Sequence, residues 1–256
     1  MSGFSTSGIL IRRVDYGDYD YILTFLTHDR GKITVIAKNA KKSMKRFLGI
    51  LELFSFLELT CSKKTSGGLA VLQEAYQEFP FEGIRKNMIK TAYASYWSEM
   101  VYIWLEEHVH QKGLFSLLMY ALGALDAGEI SPHPLSLLFQ IRFMHIAGFA
   151  PHFESCSICQ LDMGTFSQSK IRFDLEKGAI VCDKCATGIR HCLYLSKGTI
   201  KQLIWLQSGN FQMTERIRWS VAAISEGLNF LEAFVPFHIG RSPKSLGVLK
   251  QIREAY

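Results

Sequence analysis

Two features of this chain combine residue types and spacing that point to chemistry. Cys156-x-x-Cys159 and Cys182-x-x-Cys185 are cysteine pairs separated by 22 residues. Each C-x-x-C brings two thiolates to one tight turn, and two such turns supply the four soft ligands of a tetrahedral site. Four thiolates fill the coordination sphere. The expected group is therefore one structural Zn2+ that staples a small ribbon and leaves no open position for catalysis. An iron–sulfur cluster and a redox-active dithiol are the other readings of the same spacing. Cys192, beside His191, has a spacing that suits ligation less well, and Cys61 falls in a strand-like segment.

The second feature is "AKNAKKSMKRFLG", Ala37 to Gly49, which holds five basic residues and no acid. Arg12, Arg13, Lys32, Lys38, Lys41, Lys42, Lys45, Arg46, Lys63 and Lys64 supply charge in and around it. Tyr16, Tyr19, Tyr21 and Phe47 are candidate stacking groups. Proteins that hold single-stranded nucleic acid use charge along the phosphates and aromatic rings against the bases. Charge alone fits a solvated loop as well as it fits phosphate contact.

No catalytic motif accompanies these features. G-x-S-x-G, G-x-x-x-x-G-K-[ST] and H-E-x-x-H are all missing, so the usual local marks of hydrolase, P-loop and zincin chemistry are not met. Asp15, Asp18 and Asp20 in "DYGDYD" lack calcium-loop spacing and read as turn residues whose carboxylates bond locally. Triads assemble from distant positions, so missing local motifs leave catalysis open at this point.

The elements that must position these residues fall into two sets. Ser7–Val14, Tyr21–Thr27, Lys32–Lys38, Phe54–Ser62 and Leu69–Phe79 are short, rich in β-branched and aromatic residues, and separated by turn signals. Five closely spaced strands predict a small barrel over residues 1–80. In "KITVIAK", two-residue alternation turns Ile33, Val35 and Ala37 inward and Lys32, Thr34, Ile36 and Lys38 outward. From Pro80 the period changes. Ile84, Met88, Ala92, Tyr96, Met100 and Ile103 recur at three- and four-residue steps and predict one long helix. Leu114–Leu125 and Leu135–Ala147 predict two more. Ser196 is the expected cap of the next, "TERIRWSVAAISEGLNFLEAF" forms a longer one, and Ser242 with Pro243 is expected to start the last. The predicted fold class is α+β multidomain: a small five-stranded barrel, then an α-helical domain over residues 81–256 that carries the ribbon as an insertion at about 152–192.

The chain has 256 residues, is 48% hydrophobic, and carries a formal charge of +6. Its basic excess lies at the ends: residues 1–80 hold 11 Lys/Arg against 8 Asp/Glu, residues 156–256 hold 13 against 8, and the middle holds 5 against 7. An anionic partner suits that distribution. "MSGFSTSGILIRRVDYG" lacks the charged start and apolar run of a signal peptide, and the longest apolar run, Leu114–Leu125, is too short to span a bilayer. A cytoplasmic protein without a membrane partner is expected.

The order "RRVDYGDYDYILTFLTHDRGKITVIAKNAKKSMKRFLGILELFSFLEL", "HIAGFAPHFESCSIC", "GAIVCDKC", "LSKGTIKQLIWL" and "HIGRSPKSL" resembles the RecO family of bacterial recombination mediators, nearly end to end. The resemblance implies that the N-terminal barrel is an OB-fold and that the chain is a DNA repair protein without enzymatic turnover, which binds single- and double-stranded DNA and anneals complementary strands. It also implies action with RecR to help RecA displace single-strand binding protein, whose C-terminal tail docks on the helical domain, in a cytoplasmic and nucleoid-associated setting. By resemblance, the DNA surface carries over to Lys32, Lys38, Lys41, Lys42, Lys45 and Arg46, and a C-terminal basic motif to His238, Arg241 and Lys244. An RNA-binding protein built from the same barrel and ribbon is the alternative, because both modules use the same physics with RNA.

Overall fold

The computed structural model describes residues 3–43, 45–62, 68–208 and 219–255. Five strands close a barrel: β1 (Gly3–Tyr16), β2 (Asp20–Thr27), β3 (Gly31–Ala37), β4 (Phe56–Ser62) and β5 (Ala70–Phe79), in the order β1-β2-β3-β5-β4. That order, with one parallel contact between β3 and β5, is the OB-fold arrangement expected from the sequence. β1 is longer than its apolar run predicts because its polar start, Gly3–Ser7, pairs with β4 while its later half pairs with β2. A register shift between Leu10 and Arg12 bends the strand from one partner toward the other. β4 starts two residues later than predicted, because Phe54 takes φ 73° and its N–H donates to the Leu10 carbonyl.

Alternation fills the barrel. Leu10, Phe25, Ile33, Val35, Leu57, Leu59 and Leu72 form its buried core, and Cys61 lies among them as a fully buried thiol. Burial pushes the Cys61 thiol up to about 11, so it stays protonated and inert.

Helices follow: α1 (Glu82–Arg85), α2 (Met88–Trp104), α3 (Lys112–Ala127) and α4 (Pro132–Ile146). The predicted single helix from Pro80 is broken ahead of Met88, where the Asn87 side chain accepts from the Lys90 N–H and opens α2 afresh. Beyond α4 come β6 (Lys170–Asp174), β7 (Ala179–Val181) and β8 (Cys192–Ser196), then α5 (Lys197–Ser208), α6 (Val221–Ile239) and α7 (Lys244–Ala255). Ser196 caps α5 through the Thr199 N–H, as its position predicts. Ser220 caps α6 through the Ala223 N–H; the part of that helix expected at 214–218 lies outside the described residues.

Two compact units result, Met1–Ala127 with Pro243–Tyr256, and Gly128–Ser242. The first therefore combines the barrel, α1–α3 and α7. Its closing helix is capped differently from the expectation at Ser242: the Glu99 carboxylate, on α2, accepts from the Lys244 N–H at 3.1 Å and from the Ser245 N–H at 2.8 Å. A carboxylate on two amides at a helix N-terminus combines charge-assisted bonds with the helix dipole. Glu99→Ala is expected to cost about 1–3 kcal/mol by leaving those amides without their charged acceptor. Chemical denaturation read in the first unit checks this, and an unchanged midpoint would remove Glu99 from that role.

Candidate nucleic-acid interface and metal centre

The lysine-rich stretch leaves β3 through Asn39, whose φ of 54° places it in the left-handed region that asparagine tolerates. A single 3-10 turn, Ala40–Lys42, follows. The β1–β2 turn holds it in place: Asp20 accepts from the Asn39 N–H at 2.7 Å, and the Lys41 N–H donates to the Tyr19 carbonyl at 3.0 Å. The acidic cluster thus works locally, with Asp20 bracing the basic turn and Asp15 3.2 Å from the Lys41 ammonium. Lys42 lies over the Tyr19 ring at 3.3 Å from its centroid. Tyr16 and Tyr19 are exposed at 54% and 41%, so aromatic faces and cations share one surface.

The predicted residues separate into two groups. Lys38, Lys42, Lys45 and Arg46 are exposed on this connection, and Arg46 donates to the Lys38 carbonyl at 3.1 Å, drawing its two ends together. Arg13 is half-buried, donates to the Leu51 carbonyl at 2.6 Å and pairs with Glu52 at 3.1 Å. Arg12 is exposed, with its guanidinium 4.8 Å from the Tyr102 ring centroid. Lys63 and Lys64 lie outside the described residues.

Lys32 corrects the expectation of a solvated outward cation. It points away from the barrel core, as alternation requires, yet only 8% of it is exposed. Its ammonium donates to the Tyr102 carbonyl at 2.9 Å, and the His108 N–H donates to the Lys32 carbonyl. Burial pulls the Lys32 pKa down, partly offset by Glu107 and Glu106. Thr24 and Leu26, on the neighbouring β2, are buried too. This part of the β2–β3 outer face is covered within its own unit by residues about seventy positions away, which no local pattern signals. Phe47 is a second correction, since it is 4% exposed in the barrel core. Tyr21 packs partly against that core.

In the second unit, His238 is half-buried among aromatic rings, with centroids at 4.3 Å to Phe234, 5.2 Å to Phe149 and 5.3 Å to Phe237. Arg241 follows, exposed, and Lys244 is exposed at the start of α7 in the first unit. Burial lowers the His238 pKa, and a hydrogen bond to the Leu175 backbone only partly offsets it. The neutral ring is therefore the folded-state form, and the unfolded chain binds the extra proton below pH 6.5. Stability from this group is present above pH 6.5 and lost as pH falls through the lowered folded-state pKa. Thermal melts from pH 7.5 to 5.5 should show a shallower acid loss in His238→Phe than in the parent; identical slopes would exclude His238 as the source.

The cysteines converge in the same unit. The hairpin expected between the pairs forms as β6 and β7, and β8 adds a third strand in the order β7-β6-β8. The ligand atoms of Cys156, Cys159, Cys182 and Cys185 all lie within 4.8 Å of one another, and Cys159 Sγ is 3.7 Å from Cys182 Sγ. A tetrahedron with metal–sulfur bonds of about 2.3 Å requires sulfur–sulfur edges of about 3.8 Å. Burial alone would raise Cys156, but N–H groups of Cys159, Cys182 and Ile158 outweigh it and hold the thiol down to about 6. Cys185, hydrogen-bonded to the Cys182 sulfur, is pushed up to about 12. These four sulfurs could hold one metal ion. Cys192, half-buried in β8, lies outside the cluster.

Among the described residues, no helix is long and apolar enough to cross a membrane. Comparison with known proteins gives two adjoining family matches: "Recombination protein O N terminal" over residues 1–79 and "Recombination protein O C terminal" over residues 85–247. The chain is 45% identical to the "DNA repair protein RecO" of Desulfosudis oleivorans, across 99% of each chain. It is 39% identical to that of Desulfatibacillum aliphaticivorans over the whole of both chains, and 33% identical to that of Syntrophus aciditrophicus over 97% and 95%.

Proposed function

Because this chain belongs to the RecO family of DNA repair proteins, we propose that it binds single- and double-stranded DNA through the first unit and anneals complementary strands without enzymatic turnover. The observation that carries this reading is the bracing of the basic turn against the β1–β2 turn, which sets the Lys42 ammonium against the exposed Tyr19 ring. Cations there neutralise phosphates while the tyrosines offer stacking faces, the combination that holds single strands without reading sequence. Neutralising both backbones lowers the repulsion between two strands, which is the physical requirement for annealing. The contacting set is Lys38, Lys42, Lys45 and Arg46, with Lys41, Arg12 and Arg13 at its border. Lys244 adds charge within the first unit and Arg241 within the second, and the packed Lys32 and His238 serve structure.

In this reading the protein works with RecR to help RecA displace single-strand binding protein, whose C-terminal tail it docks, in the cytoplasm at the nucleoid. The metal is one Zn2+ held by Cys156, Cys159, Cys182 and Cys185; all-sulfur ligation suits zinc, and no ligand position remains for substrate. Salt-titrated binding to matched DNA and RNA oligonucleotides, beside an annealing assay, tests the reading. Salt-dependent binding and accelerated annealing of DNA are expected; a strong preference for RNA would transfer the interface to RNA, and no salt dependence would abolish it.

A further inference from the structure

The geometry points to a nucleobase site in the open seam of the barrel, an inference that rests on the DNA interface proposed above. β3 and β5 pair only at Val35–Ala70 and Ile36–Val71, so the earlier residues of β3 have no partner on β5. A cavity of about 620 Å³ lies along this seam. Phe4, Arg30, Thr34, Leu69, Glu107 and His108 line it. The Arg30 guanidinium is 4.5 Å from the Phe4 ring centroid, and Thr34 Oγ1 donates to the Glu107 carboxylate at 2.7 Å. Leu69 is 36% exposed at the rim.

This mixture selects its occupant. The Glu107 carboxylate opposes a phosphate, and an aliphatic side chain would give it no donor. A base satisfies both surroundings, because its face lies on apolar and guanidinium surfaces while an exocyclic amino group donates to a carboxylate. The outer face of strands two and three, where OB-folds commonly take nucleic acid, is here partly covered at Lys32, Thr24 and Leu26. Among the described residues, the seam is the recess beside it. Lys38 directly follows the end of β3, four residues after Thr34 and so no more than about 13 Å from it along the chain. One strand with phosphates on Lys38 and Lys42 therefore reaches the cavity within a few nucleotides. The ligand is one unstacked amino-bearing base, adenine, cytosine or guanine, of a bound single strand.

The test compares oligo-dC with oligo-dT of equal length on the full chain at fixed salt and pH 7.5. Wild type should favour dC about tenfold, the worth of one hydrogen bond to a charged acceptor. Glu107→Ala should bring the ratio close to one without changing the salt slope, because no phosphate contact is lost. A strand carrying a single 5-iodocytosine should photocrosslink wild type at Phe4 or His108, a readout independent of any variant's folding. An unchanged dC/dT ratio in Glu107→Ala, with crosslinks confined to Tyr16 and Tyr19, would overturn the base site while leaving the DNA interface standing. Wild-type binding that ignores salt would overturn the interface itself. Competition by free dCMP at micromolar concentration would overturn the assignment to a strand and give the cavity to a mononucleotide.

Discussion

Changing Lys38, Lys42, Lys45 and Arg46 together to glutamine is expected to weaken single-strand binding roughly 10²–10³-fold at 0.1 M salt. Each lost phosphate contact removes about 0.7 from the log–log salt slope on single strands, so four remove about 2.8. The loss should be uniform across sequences, since phosphates carry none. Fold should persist, because all four side chains are exposed and the turn is held chiefly by backbone groups and Asp20. Fluorescence anisotropy across a salt series checks slope and affinity together. A parental slope would move the interface elsewhere on the molecule. Lys41→Gln alone should cost less than Lys42→Gln, because the Lys41 ammonium is already engaged by Asp15 and the Gly17 carbonyl.

The second large effect concerns the metal. Structural zinc sites in small domains contribute about 10–16 kcal/mol of apparent binding energy, which becomes folding energy where no site exists in the unfolded chain. Cys182→Ser or strong chelation is therefore expected to unfold the three-stranded ribbon. The consequence spreads, because the ribbon is not free-standing. Phe173 on β6 meets Phe230 and Phe234 of α6 at 4.7 and 5.5 Å, and Phe153 joins them at 5.5 Å from Phe173. Losing the metal would bare that aromatic face of α6. Limited proteolysis should open at 152–196 on chelation, with one zinc released per chain by elemental analysis, while salt-dependent DNA binding by the first unit persists. A chelated protein with unchanged proteolysis and melting would show that the four sulfurs do not staple the fold.

How far these sites could be read from sequence depends on how local their causes are. Two-residue alternation put Ile33, Val35 and Ala37 in the barrel, where they are found. The paired C-x-x-C spacing located the four sulfurs because each turn is itself local. Alternation also turned Lys32 outward correctly, but outward is not the same as exposed. What covers it is Tyr102, and a contact across that separation leaves no trace in the strand pattern. Phe47, a candidate stacking ring by its place in the basic run, returns its side chain to the core instead. The α7 cap followed the same rule, with a local serine predicted and a distant Glu99 carboxylate found. The exposed cations of one connection and the cysteines were legible; the coverings and the seam cavity, made by chain segments far apart, were not.

The division of the chain also bears on the order in which it can be made. The barrel unit draws its last helix from residues 243–256, after the whole of residues 128–242 has been synthesised. Closing so long a loop on a barrel costs chain entropy, and a folded segment between the ends shortens the effective loop. The unit that carries the four clustered cysteines is contiguous in sequence, so it can complete on the ribosome first. If the four sulfurs hold a metal, its supply during translation would set the rate at which α7 finds α2, and a shortage would delay completion of a barrel unit that contributes none of those four cysteines.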